Sequence, residues 1–211
     1  MWLIHTSGWI GLVLLLMSFY FVAQVVRLFQ DLRTEVVMPP GLVEEMDQLL
    51  ASRDYPGILR IAKESECELG QLVTAGITSL SSGLAEARDS VDRMGEVVTV
   101  EMEKRISMLA VIGTLGPLVG LLGTLKGMIG SFSVIALSDT QLKASEVAGG
   151  ISEALILTFE GVGLSVPAIY FFAVFKNRVS SLSVQTMNAA DDFIFRVHTM
   201  AHKKAPTEPA A

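Results

Sequence analysis

The chain has 211 residues, a net charge of −6 and a mean hydropathy of +0.51, with 51% hydrophobic and 18% charged residues. Soluble domains normally carry about 25% charged residues. Here the apolar residues cluster in three long blocks, which excludes a soluble globular protein. The acidic balance and the lack of a basic run argue against nucleic-acid binding. Because Cys67 is the single cysteine, no internal disulfide can form. These properties indicate an integral membrane protein.

The three apolar blocks predict three membrane-spanning helices, since a span needs roughly 20 apolar residues. The charges and turn residues between the blocks predict a helical cytoplasmic segment, which continues from residue 84 as one helix into the second span. We expect the first block to be a retained span, because it lacks the basic start and the cleavage site of a signal peptide. The predicted segments are the first span 1–29, cytoplasmic helices 30–105, second span 106–137, outer turn 138–146, third span 147–175, and a C-terminal helix with a disordered tail 176–211.

The distribution of basic residues predicts the orientation. Residues 27–105 carry nine Lys or Arg, the chain from Lys176 onward carries five, and the 138–146 turn carries one. Basic residues near the ends of spans stay in the cytoplasm. We therefore expect the N-terminus and the short turn outside, and the C-terminus inside. The predicted fold is an all-α integral membrane protein with three transmembrane helices, a helical cytoplasmic domain, and second and third helices that extend beyond the membrane.

A glycine stripe marks the second span. In lipid, close approach of backbones through small residues holds helices together. The stripe therefore predicts tight helix packing, either as a pair within one chain or between copies in a ring. It consists of glycines at spacings of three and four: Gly113, Gly116, Gly120, Gly123, Gly127 and Gly130.

A row of hydroxyl side chains flanks the glycines and includes Thr114, Thr124 and Ser131. Such a row suits a narrow, partly hydrated pathway. In a second interpretation, these hydroxyls bond to carbonyl groups of their own helix, as Ser and Thr in spans often do. From the row alone this second interpretation is favoured.

Pro117 and Pro167 each remove a helical hydrogen bond and predict kinks in the second and third spans.

Three charged residues lie within the second and third spans. With the turn centred near residue 142, Lys126 and Glu160 would lie at one depth, as would Thr124 and Thr158. Isolated charges in a span are costly, so they usually pair inside the protein. We predict a Lys126–Glu160 ion pair, within one chain or between neighbours. Glu153 has no evident partner in the spans, which leaves a role in proton transfer or in hydrogen bonding to a neighbour.

Neither an enzyme nor a metal site is predicted. No histidine lies in a span to activate Ser165. His198 and His202 have no third ligand to complete a metal site. The sequence therefore predicts no cofactor.

Two motifs in the second and third spans resemble the MotA/TolQ/ExbB proton-channel family, and most closely its three-span ExbB/TolQ branch. The second span carries Gly-Pro-Leu-Val-Gly-Leu-Leu-Gly-Thr-Leu at 116–125. The third carries Ile-Ser-Glu-Ala-Leu-Ile-Leu-Thr at 151–158, followed by Gly161 and by Val-Pro-Ala at 166–168. The predicted layout of spans also matches this branch.

The resemblance implies a homopentamer in the bacterial inner membrane, whose second and third helices line a pore around two copies of an ExbD/TolR-like single-span protein. It implies a motor in which proton flow does work on the cell envelope or drives transport, with a TonB-like or other envelope-spanning protein as a candidate further partner. The family's pathway residues map onto Thr124, Thr158 and Glu153.

Two residues depart from the family pattern. Lys126 stands where the ExbB branch usually has tryptophan, and Glu160 where the family usually has an apolar residue. The two departures are complementary in charge, so a paired change is expected. They leave open an alternative function, a non-conducting membrane scaffold of the same architecture.

Overall fold

A computed structural model describes residues 8–137 and 144–202. These residues form helices and turns, without a strand among them, which confirms the all-α fold class. The elements are α1 Gly8–Asp31, α2 Thr34–Val37, α3 Pro40–Ala51, α4 Tyr55–Glu64, α5 Glu68–Ser79, a 3₁₀ turn Leu80–Ser82, α6 Leu84–Leu137 and α7 Ala144–His202.

Three of these helices, α1, α6 and α7, are long and apolar enough to cross a membrane. α6 has 54 residues, which confirms that the segment from residue 84 continues into the second span as one helix. α7 has 59 residues, so the predicted third span and C-terminal helix are also continuous. α7 begins at Ala144, three residues before the predicted start of that span. The rest of the predicted outer turn, 138–143, and the predicted disordered tail lie outside the described residues.

The chain divides into two compact units, and the membrane unit consists of Met1–Leu28 and Arg105–Phe175. In it, Ile10 and Leu14 of α1 form a buried cluster with Leu157 of α7. Large apolar side chains cover much of its surface, and Phe159 is 80% exposed. A surface of this kind is expected where a protein faces lipid or further membrane helices.

The second unit consists of Phe29–Lys104 and Lys176–Ala211. Here α5 packs on the first half of α6 and the last part of α7. Gly76 of α5 lies against both, since a Cβ atom there would be 2.7 Å from Ile194 and 2.8 Å from Val91. The hydroxyls of Thr99 and Ser183 bond to each other in the same unit. Small and polar residues thus allow close packing of these helices.

Local sequence signals set the starts of the short helices. α3 begins at Pro40, and proline suits the first turn of a helix because the amide it lacks would have no partner there. The Asp54 side chain caps α4 by accepting a hydrogen bond from the Gly57 amide at 3.0 Å. The Cys67 sulfur caps α5 by accepting one from the Gly70 amide at 3.3 Å.

Candidate functional site

The second and third spans approach each other so closely that their backbones touch. A Cβ atom at Gly116 would lie 2.8 Å from the carbonyl oxygen of Gly161. At Gly120 a Cβ atom would lie 2.9 Å from the Leu157 carbonyl oxygen, and at Gly127 it would lie 2.9 Å from that of Gly150. Because these distances leave no room for a side chain, glycine is required along this line of α6.

The glycine stripe is used inside one chain. Five of its six members meet atoms of α7, namely Gly113, Gly116, Gly120, Gly123 and Gly127, whereas the Cβ position of Gly130 has no atom within 4 Å. Of the two alternatives that the sequence left open, the helix pair within one chain therefore accounts for the stripe. The complementary small residues of α7 include Gly150, Ala154 and Gly161. Their spacings of four and seven in the sequence are the signal that could have identified this partner surface.

The contacts also set the register of the two spans. Gly127 lies against Ala154 and Gly150, which places Lys126 level with Glu153. The expectation that Lys126 lies level with Glu160 is wrong. It assumed a turn centred near residue 142, whereas α6 ends at Leu137 and α7 begins at Ala144, so the centre lies earlier. Glu160 follows Glu153 by seven residues, about 10 Å along the helix.

Lys126 and Glu153 line one cavity of about 360 Å³ between α6 and α7. They are the only charged residues among those that line it; the others are glycines, apolar residues and Ser131. Lys126 is exposed and Glu153 is half-buried. Within the described residues no ion pair joins the two side chains at 4 Å or less.

Glu160 lies in a different environment. It is half-buried and lines a cavity of about 410 Å³ between α1 and α7, where Ser18 and Pro167 are among its neighbours. In the described part of a single chain, Glu160 and Lys126 do not form an ion pair. Their pairing between neighbouring copies stays a prediction.

The two predicted pathway threonines both donate hydrogen bonds to carbonyl groups, but on different helices. Thr158 Oγ1 donates across the interface to the Gly120 carbonyl oxygen at 3.2 Å. This places Thr158 level with Gly120, about one turn from Thr124, so the expectation that the two threonines lie at one depth is wrong. Thr124 Oγ1 donates to Leu121 of its own helix at 2.8 Å. Thr114 likewise bonds within its helix, to Ala110. The interpretation that the hydroxyl row of α6 bonds to its own helix is therefore confirmed for Thr114, Thr124 and Ser131, whose Oγ donates to the Gly127 carbonyl oxygen at 3.0 Å. Thr158 of α7 bonds to the other helix instead.

Sequence analysis missed a second bond across the same interface. Ser165 is buried, and its Oγ donates to the Gly113 carbonyl oxygen at 2.5 Å. Ser165 follows Thr158 by seven residues, so both lie on nearly the same face of α7. The hydroxyls of Thr158 and Ser165 thus each donate a hydrogen bond from α7 to the backbone of α6.

The helix pair has a threonine side and a charged side. Gly127 contacts Ala154 and Gly120 contacts Leu157, so these residues mark the face that each helix turns toward the other. Because successive residues of a helix are 100° apart, the directions of the other side chains follow from these contacts. Thr124 and Thr158 point to one side of the plane through both helix axes, and Lys126 and Glu153 point to the other. Glu153 is therefore not brought together with the two threonines.

Both α6 and α7 continue through their prolines, Pro117 and Pro167. The kinks themselves stay predictions.

Among residues 8–137 and 144–202, no three His, Cys, Asp or Glu side chains lie close enough together to hold a metal ion.

Comparison with known proteins places this helix pair in a family. The model of the MotA/TolQ/ExbB proton channel family matches residues 65–188, which include the pair and much of the second unit. The chain is 35% identical over 106 residues to the Tol-Pal system protein TolQ of Haemophilus influenzae, covering 50% of this chain and 46% of that protein. It is 31% identical over 140 residues to a putative biopolymer transport protein, ExbB-like 3, of a Synechocystis species, covering 66% of this chain and 60% of that protein.

The chain thus spans about half to three fifths of the length of these curated relatives. The matched segment contains all the residues from which the sequence resemblance was argued, and the resemblance is confirmed. The chain belongs to the MotA/TolQ/ExbB proton channel family.

Proposed function

We propose that the chain is an ExbB/TolQ-like subunit of a motor driven by the proton-motive force. Five copies would form a ring around a dimer of an ExbD/TolR-like single-span protein, and proton flow would do work on the cell envelope or drive transport. The observation that carries the proposal is the family match over residues 65–188, which covers both helices of the threonine-bearing pair. The chain is a multi-pass protein of the bacterial inner membrane, and the proposed orientation is N-out and C-in.

The threonine side of the helix pair is the proposed pathway. Thr124 and Thr158 are both half-buried in the single chain, so further helices can approach them. Thr158 lies level with Gly120, and Thr124 is four residues, about one turn, further along α6. A hydroxyl that donates to a carbonyl still has lone pairs with which it can accept a hydrogen bond from water. Two such hydroxyls one turn apart can therefore support a short water chain beside a partner helix.

The ring requires surfaces other than the glycine stripe. Since the stripe packs within one chain, neighbouring copies would meet through the large exposed apolar residues of the membrane unit. Leu118, Leu122 and Ile129 of α6 are exposed by 52%, 55% and 69%. In this arrangement α1 packs against α7 through Ile10 and Leu14, leaving the threonine side open to a central partner.

Glu153 is the third proposed pathway residue, and it would exchange protons with the cavity that it shares with Lys126. This cavity lies on the side of the helix pair away from the threonines, so in this proposal Glu153 does not touch the water chain beside them. One structural feature therefore favours the alternative function, a non-conducting scaffold: a lysine level with the glutamate of the third span opposes the passage of a cation.

Proton flux into lipid vesicles distinguishes the two functions. Vesicles would contain the full-length chain with and without its one-span partner, under an imposed proton gradient. We expect flux that depends on the partner and is lost in a chain carrying Thr124→Val and Thr158→Val. Ser165→Ala is the packing control, because it also removes a hydroxyl bond between α6 and α7, but Ser165 is buried against α6 and is not one of the two hydroxyls of the proposed water chain. An assembled wild-type complex without flux would support the scaffold instead.

A further inference from the structure

The charged side of the helix pair contains a lysine and a glutamate at the same level. Lys126 of α6 and Glu153 of α7 line one cavity, with no other charged residue among those that line it. Both lie in segments that cross the membrane, where a charge without a partner is costly to hold. An ion pair between the two side chains would therefore lower the cost of holding both charges in the membrane.

The geometry of antiparallel helices brings the two side chains toward a common point. Gly127 and Ala154, the next residues along each helix, are in contact across the interface. Lys126 and Glu153 are each one residue before this contact, so each lies to the same side of the interface. The lysine carries its ammonium on a flexible four-carbon stem, and its exposure in the single chain leaves that stem free to turn.

We propose that Lys126 is the intramembrane counter-ion of Glu153 in the same chain. The ammonium turns into the cavity and pairs directly with the carboxylate, so that the cavity holds a neutral pair. The cavity volume of about 360 Å³ accommodates this movement without displacing either helix. The pairing does not depend on proton conduction, and it would stabilise a scaffold equally well.

Glu160 is the less suitable partner within one chain. It lies two helical turns further along α7, about 10 Å from the level of Lys126. It also lines the cavity next to α1 rather than the one next to α6. A direct pair between Lys126 and Glu160 would have to form between chains. Pairing with Glu153 thus predicts a contact of Lys126 within one chain, whereas pairing with Glu160 predicts a contact between chains.

A double-mutant cycle tests the proposal in the assembled full-length protein. Unfolding in mixed micelles would be measured for Lys126→Met, Glu153→Gln and the double variant. We expect a coupling of roughly tenfold in the unfolding equilibrium constant, since residues that interact directly are not additive. The matched cycle with Glu160→Gln in place of Glu153→Gln should be additive within about twofold. An additive Glu153 cycle would overturn the proposal.

Cross-linking of the wild-type protein provides a test without substitutions. A membrane-permeable carbodiimide adds to a carboxylate to form an O-acylisourea; attack by a neighbouring amine then forms an amide and releases the substituted urea, so that the protein loses one water. Complexes assembled from ¹⁴N- and ¹⁵N-labelled chains would be treated, digested and analysed by mass spectrometry. We expect a Lys126–Glu153 link whose two peptides always carry the same label. Mixed labels, a link to Glu160 instead, or no link to Glu153 would each overturn the proposal.

Discussion

Thr158 and Gly120 are joined across the interface of the two spans by a hydrogen bond of 3.2 Å from the threonine hydroxyl to the glycine carbonyl oxygen. The bond is possible because Gly120 has no side chain to keep the helices apart. It places a hydroxyl of α7 against the backbone of α6, in the segment that matches the family. One residue thus contributes to helix packing and, in the proposed function, to the proton pathway.

Replacing Thr158 with valine separates these two contributions. Valine keeps the shape and removes the hydroxyl, and a hydrogen bond between membrane helices contributes only about 0.6 kcal/mol on average. We therefore expect Thr158→Val to assemble normally and to lose partner-dependent proton flux. Size-exclusion chromatography and vesicle flux are the two measurements. Thr158→Ser should retain flux, and loss of the oligomer in Thr158→Val would argue against a pathway role.

The closeness of the two spans predicts opposite effects for two neighbouring glycines. In Gly161→Ala the new methyl group would collide with the Gly116 carbonyl oxygen, whereas the Cβ position of Gly163 has no atom within 4 Å. We expect Gly161→Ala to destabilise the protein by about 1–3 kcal/mol through overpacking. Gly163→Ala should be neutral or stabilising, because alanine favours a helix by about 1 kcal/mol over glycine. Thermal unfolding in detergent compares them; equal midpoints would contradict the close packing.

Arg178 holds the chain where it leaves α1. Its guanidinium donates to the Leu32 carbonyl oxygen at 3.2 Å and to the Thr34 hydroxyl at 3.1 Å. Lysine cannot reproduce this two-pronged contact. We expect Arg178→Lys to accelerate tryptic cleavage after Arg33 several-fold. Arg88→Lys is the control, since the Arg88–Asp191 pair is exposed and exposed pairs contribute little. Unchanged cleavage in Arg178→Lys would show that the contact does not restrain this segment.

The capping role of Cys67 makes it replaceable by serine. Its sulfur accepts a hydrogen bond from the Gly70 amide at 3.3 Å, and serine is a preferred residue at this position of a helix. We expect Cys67→Ser to keep the stability of the wild type, and Cys67→Ala to lose about 1 kcal/mol. Chemical denaturation of the full chain measures both. If alanine were as stable as serine, the sulfur would not be acting as a cap.

Much of the fold could be predicted because apolar blocks and breakers are local signals. The continuity of α6 followed from the lack of a strong breaker between Leu84 and the second span. The glycine spacing indicated close packing, but it could not identify the partner, since the same stripe suits a neighbouring copy. The contacts in the structure identify α7 as the partner, since Gly116 contacts Gly161 and four other glycines of the stripe also contact α7.

The pairing of the charges illustrates what sequence spacing cannot determine. The depth of Lys126 relative to α7 depends on where two helices end, and a shift of a few residues at the turn moves the level by about 1.5 Å per residue. The expected partner, Glu160, differs from the observed neighbour, Glu153, by two helical turns. The bond of Ser165 was not predicted for a related reason, because its acceptor is a backbone carbonyl that no sequence motif records.

The internal use of the glycine stripe bears on the order in which the protein is made. The second and third spans can close on each other as soon as both have entered the bilayer, because every glycine contact described between them lies within one polypeptide. Helical hairpin formation can thus precede any encounter with another copy. Each newly inserted chain would then enter assembly as a preformed hairpin.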